Sequence, residues 1–210
     1  MVAKEKIFHL KENYTLSDLS QAYLKYLEEY VRRMKANKWK DMLMLAKLFQ
    51  KINDAFLYLY KQKEAEELAV NERTKTAEVL SKKAKNLYHK GDYWSAAETF
   101  QQAISLDGSR HTYFSFLGLC FLKLERYDSA IKSFERAIEL FPASADYWYN
   151  LGLTYFKAGV NRKAVDKLAA AFLIEPRDER VLKILRVLVP EAFEEKEGLL
   201  DKIKKLLSGG

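Results

Sequence analysis

Apolar residues return at helical intervals over most of the chain. Leu19, Tyr23, Tyr26, Leu27, Tyr30, Val31 and Met34 fall along one helix, and Thr15-Leu16-Ser17-Asp18 supplies a capping signal ahead of them. Asn37 reads as the stop. A longer helix is predicted from about Trp39 to Leu68, carrying Leu43, Leu45, Ala46, Leu48, Phe49, Ile52, Phe56, Leu59 and Tyr60. Its apolar surface is wider than one contact stripe needs. Such a helix either packs on both the first helix and the rest of the chain or forms a dimer interface. The first glycine is Gly91 and the first proline Pro142, so nothing in the opening ninety residues breaks long helices.

From residue 77 the pattern repeats. Ala96-x3-Phe100-x2-Ala103, Ala130-x3-Phe134-x2-Ala137 and Ala164-x3-Leu168-x2-Ala171 recur at a constant spacing of 34 residues, giving units 77–110, 111–144 and 145–178. Each unit carries a large residue (Leu80, Phe114, Trp148), a small one four places on (Ala84, Gly118, Gly152) and a second large one (Leu87, Phe121, Tyr155). Small residues let two helices of a hairpin approach closely, and the large ones fill the space that remains. Pro142 and Pro176 stop the second helix; Gly108 holds that place in the first unit. Tyr93 and Tyr127 mark the loop, with Asn161 in the third unit. Lys83 stands where Leu117 and Leu151 are apolar, which makes the first unit the least regular.

The 34-residue period and the A-x3-F-x2-A core resemble the tetratricopeptide repeat, a helix-turn-helix unit. The resemblance implies an all-α solenoid of three repeats over 77–178, preceded by an N-terminal helical extension (1–76) and followed by C-terminal capping helices (179–210). Val181, Leu182, Ile184, Leu185 and Leu188 form a helical stripe ending at Pro190, suited to closing the array. A second amphipathic stretch, Glu197 to Leu207, reads as another cap or as a partner-binding or membrane-surface helix.

Composition narrows the chemistry. The 210 residues hold 36 basic and 29 acidic side chains, a net charge of +7, with the excess leaning toward the N-terminal third. A charge of this size serves solubility and is no argument for nucleic acid. The run Arg32 to Lys40 has five basic residues, one Trp and no acid. It could suit phosphates or an anionic membrane, but it reads first as a solvated helix end favoured by the dipole. The longest apolar run, Leu168 to Ile174, is too short to span a bilayer. Nucleic acid and membrane are therefore not the expected partners.

The single cysteine, Cys120, excludes an intrachain disulfide framework and fits a reducing, cytoplasmic setting. His9, His89 and His111 stand in no metal motif, and there is no phosphate loop or nucleophile elbow. The expectation is a protein without cofactor, metal or catalytic residues.

In tetratricopeptide arrays the first helices line a concave groove that takes peptides. The resemblance places Ser81, Lys85, Tyr88 and His89 there from the first unit. The second adds Thr112, Ser115, Phe116, Leu119, Leu122 and Lys123; the third adds Asp146, Tyr149, Asn150, Leu153, Phe156 and Lys157. Chaperone-tail readers of this family use a carboxylate clamp, whose offsets here hold Ser81, Lys85, Phe116, Asp146 and Asn150. Asp146 would repel a terminal carboxylate. What remains is an apolar floor with Lys85, Lys123 and Lys157 as a cationic rim. The implied function is a non-catalytic adaptor or assembly factor gripping a protein segment by apolar anchors. Two alternatives are a chaperone similar in architecture to the type III secretion translocator chaperones, and a scaffold that homo-oligomerises through the N-terminal helices.

Overall fold

A computed structural model of the chain describes residues 8, 14–36, 42–67 and 72–193. Thr15 and Asp18 close a reciprocal capping box: the Thr15 hydroxyl accepts from the Asp18 amide at 3.2 Å, and the Asp18 carboxylate accepts from the Thr15 amide at 2.9 Å. The box starts α1 (Leu16–Ala36), which buries Leu19, Tyr23, Leu27 and Met34. The expected stop at Asn37 lies outside the described residues. Helix α2 (Met42–Glu67) buries Phe49, Phe56 and Leu59 against α1 and against the repeat array. Between α1 and α2 the Tyr23 phenol donates to Asn53 Oδ1 at 2.8 Å, and burial holds its pKa well above the usual tyrosine value. Two packing partners account for the breadth of the α2 apolar surface. Met44 and Leu48, one turn apart on α2, stay exposed.

Three hairpins follow: α3 (Glu72–His89) with α4 (Tyr93–Leu106), α5 (His111–Lys123) with α6 (Tyr127–Leu140), and α7 (Ala145–Lys157) with α8 (Asn161–Ile174). Helix α9 (Glu179–Leu188) and a short 3-10 turn (Pro190–Ala192) close the described chain. Close approach within each hairpin rests on the small residues. A methyl group added at Gly118 would sit 2.8 Å from the Phe134 ring, and one at Gly152 would sit 2.7 Å from Leu168. The turn inside each hairpin needs one residue in the left-handed region: Gly91 (φ 83°), Glu125 (φ 56°) and Gly159 (φ 76°) occupy the same place in the three units. Pro142 keeps an acceptor role, since its carbonyl takes the buried Trp148 indole N–H at 2.7 Å.

First helices α3, α5 and α7 lie side by side in one layer, second helices α4, α6 and α8 in the next. The N-terminal helices form a third layer behind the second helices. Helix α1 packs on α6 and α8, and α2 packs on α8. Polar contacts pin this layer: Ser20 donates to the Leu140 carbonyl at 3.3 Å, and Gln50 donates to the Ile174 carbonyl at 2.8 Å, where the last turn of α8 leaves carbonyls without helical partners. The core accordingly divides in two. One cluster joins the N-terminal helices to the second and third hairpins, and a smaller one joins the first hairpin to α5 through Tyr113, Leu117 and Cys120.

That division explains Lys83. In the second and third units Tyr113, Leu117 and Cys120, and then Tyr147, Leu151 and Thr154, are buried against the preceding hairpin. The same places in the first unit are Val79, Lys83 and Asn86, all exposed, because no hairpin precedes it. The array therefore begins on a largely polar end face.

Candidate peptide-binding face

Most of the sequence-predicted site residues lie on the first-helix face opposite the N-terminal layer. Phe116 on α5 lies at its centre. Its ring stacks on Phe100 at 5.5 Å, meets Tyr88 edge-on at 6.0 Å, and has the Lys85 ammonium 4.9 Å above it, a cation–π distance. Burial, then Tyr93 and Cys120, raise the Tyr88 pKa. Thr112, Leu119, Leu122, Tyr149, Asn150, Leu153 and Phe156 are half-buried. The apolar floor is thus shared between contacts with neighbouring helices and an open surface, and is drier than fully water-facing side chains would be. His89, Lys123 and Lys157 are exposed on the closing turns of α3, α5 and α7, where a helix end favours positive charge.

Two residues placed on this face do not reach it. Ser81 is 4% exposed and Ser115 7%. They stand at the same place in units one and two, both turned away from solvent, and Ser115 lies near the Tyr147 phenol of the adjoining first helix. Asp146 also departs from expectation. It remains exposed, but Arg180 of α9 binds it at 2.6 Å. Arg180 is fixed in turn by Asp178, through contacts of 3.0 Å and 2.7 Å, and stacks 4.6 Å over the Tyr149 ring. Burial works against the Asp178 carboxylate, yet the Arg180 hydrogen bonds outweigh it and its pKa ends below the ordinary value. Being exposed, the Arg180–Asp146 pair adds at most about 1 kcal/mol to stability; its consequence lies in charge and coverage. Arg180 neutralises Asp146 and roofs Tyr149.

The other acid on this face, Glu78, is met by Arg110 at 3.4 Å. Lys85, Lys123 and Lys157 have no ion-pair partner among the described residues. The face is therefore apolar and net cationic. In the basic stretch, Arg32 and Arg33 both bond Glu29, and Lys35 bonds Asp166. Those charges are spent within the protein, and residues 37–40 lie outside the described set, as does the stretch from Glu197 to Leu207.

Burial pushes the Cys120 thiol up to about 12, so it carries no thiolate at neutral pH. Among the described residues no cluster of three or more His, Cys, Asp or Glu could hold a metal ion. No described helix is long and apolar enough to cross a membrane.

Stacked helical hairpins with one layer of first helices left open define a repeat solenoid. Family models agree on which: one described as "TPR repeat" matches residues 118–159, and one described as "Tetratricopeptide repeat" matches residues 81–138. Solved structures give the same fold. The TPR domain of Arabidopsis OM64 is 18% identical, with 57% of this chain and 98% of that one covered and a TM-score of 0.55. The second TPR domain of human RPAP3, solved in complex with the HSP70 peptide SGPTIEEVD, is 20% identical over 55% of this chain and 97% of its own, at 0.53. The type III secretion translocator chaperone SycD of Yersinia enterocolitica is 25% identical over 60% and 92%, also at 0.53. No curated protein matches the chain. Residues 81–159 are tetratricopeptide repeats.

Proposed function

We propose that this protein is a non-catalytic interaction module, an adaptor or assembly factor that holds a segment of a partner protein on the first-helix face. One observation carries the reading. The acids on that face, Glu78 and Asp146, are met by the chain's own Arg110 and Arg180, while Lys85, Lys123 and Lys157 stay uncompensated around Phe116, Leu119, Leu153 and Phe156. Half-exposed apolar surface ringed by one sign of charge favours a partner with apolar anchors and acidic side chains between them. The described residues of α1 and α2 pack mainly behind the second helices, which supports an open first-helix face. The RPAP3 and SycD structures support the general role, since one was solved with a bound peptide and the other is a chaperone. The clamp offsets argue against a terminal carboxylate as the ligand: Ser81 is buried, Phe116 is apolar and Asp146 is tied to Arg180.

The likeness to SycD favours a chaperone for apolar client segments as the second reading. Cytoplasmic residence fits either. The test is capture of a binding protein, mapping of its bound segment by mass spectrometry, and repetition with Phe116→Ala combined with Phe156→Ala. Retained helical circular dichroism with loss of that segment is the expected result; undiminished capture places the site elsewhere.

A further inference from the structure

Helix α9 continues the repeat register one helix beyond the third unit. It starts 34 residues after α7, and its bond from Arg180 to Asp146 spans the same 34. Its burial repeats that of α7. Val181, Leu182 and Leu185 are buried as Tyr147, Trp148 and Leu151 are. The helix is thus a fourth first helix in geometry, although Arg186 holds the place of Gly118 and Gly152, where close approach of a second helix needs a small residue.

One row of the face changes meaning in this register. Leu119 and Leu153 occupy the same place in α5 and α7, and the next step of 34 falls on Val187, which is 67% exposed. A γ-branched or β-branched apolar side chain on three successive helices makes a ladder of three rungs. Lys85 heads the row on α3, and Lys123 and Lys157 flank it.

Resting on the groove reading above, we infer that α9 belongs to the binding surface, and that the Leu119–Leu153–Val187 ladder takes an extended acidic segment with an apolar residue at every third position. Neighbouring packed helices lie about 8–10 Å apart. A polyproline II chain rises about 3.1 Å per residue with three residues per turn, so side chains three apart share a face at about 9 Å. A β-strand brings same-face side chains back at about 7 Å or 13 Å, which straddles the helix spacing. Acidic residues between the anchors meet Lys123 and Lys157, whose charges no described acid takes.

The test uses three fluorescent nonapeptides of Glu and Leu, read by anisotropy at low salt. The first has Leu at positions two, five and eight. The second replaces one terminal Leu by Ser, and the third sets three Leu two apart. The first should bind wild type about tenfold tighter than the second, as expected for one more covered apolar anchor, and tighter than the third. Val187→Ser changes an exposed side chain and should bring the first peptide to the level of the second, whose binding stays unchanged. If Val187→Ser leaves the tenfold advantage intact while Phe116→Ala with Phe156→Ala abolishes binding, the inference falls and the groove stands. Equal binding of the first and third peptides overturns the three-residue spacing. If no peptide binds, or the double variant binds as wild type does, the groove reading and the inference fall together.

Discussion

The His111 imidazole Nδ1 and the Tyr147 hydroxyl lie 2.7 Å apart and join the first residue of α5 to the early turn of α7. The ring of His111 also stacks on Phe141 at 4.7 Å and meets Tyr60 of α2 edge-on at 6.3 Å. One register earlier the same two places hold Ala77 and Tyr113. Ala77 has no polar side-chain atom, and the buried Tyr113 hydroxyl is without a hydrogen-bond partner among the described residues.

This asymmetry gives the first prediction. Tyr113→Phe removes a buried, unsatisfied hydroxyl and should stabilise by about 1 kcal/mol, whereas Tyr147→Phe breaks a made bond and should destabilise by a similar amount, about 1 kcal/mol. Urea midpoints of the two variants should move in opposite directions.

The His111 site gives the second. Burial, and then the neighbouring Arg110 charge, lower its pKa from 6.5 to about 4. The unfolded chain therefore takes the proton more readily than the folded one. Stability from this group is complete above pH 6.5 and is lost as pH falls toward 4, by at most about 3 kcal/mol. The carboxylates titrate nearby, so the readout is the difference between wild type and His111→Phe. That difference should depend on pH between 6.5 and 4 and be flat above.

Gly118→Ala and Gly152→Ala place a methyl group against Phe134 and Leu168 at 2.8 Å and 2.7 Å. Each should cost about 1–3 kcal/mol by overpacking, seen as a lower melting temperature with unchanged helical content. Neutral outcomes would mean the hairpins are not pressed together there.

Glu125 holds a left-handed conformation where the other units have Gly91 and Gly159. Glu125→Gly should stabilise by about 1 kcal/mol, and Gly91→Ala or Gly159→Ala should destabilise by about as much. Thermal melts of the three variants check the sign.

The hairpins were legible because each repeats the same packing problem. Gly118 and Gly152 are recognisable by spacing before any coordinates are known. The Val187 rung was equally within reach, since it needs only one more step of 34 past Leu153, but a capping helix does not announce that its open side is in use. The placement of α1 and α2 was not legible. Its contacts, such as Ser20 to Leu140 and Lys35 to Asp166, join residues 120 and 131 apart with no period to link them. Asp146 misled for a related reason: charge sign is readable, but neutralisation by Arg180 depends on a register that the capping helix was not expected to share.

The brace behind α6 and α8 has a mechanical outcome. Among the described residues α1 straps the second and third hairpins together from the rear, while the first hairpin packs mainly along its seam with α5. On the groove reading proposed above, a bound segment would lie across two hairpins that share this rear support and one that lacks it.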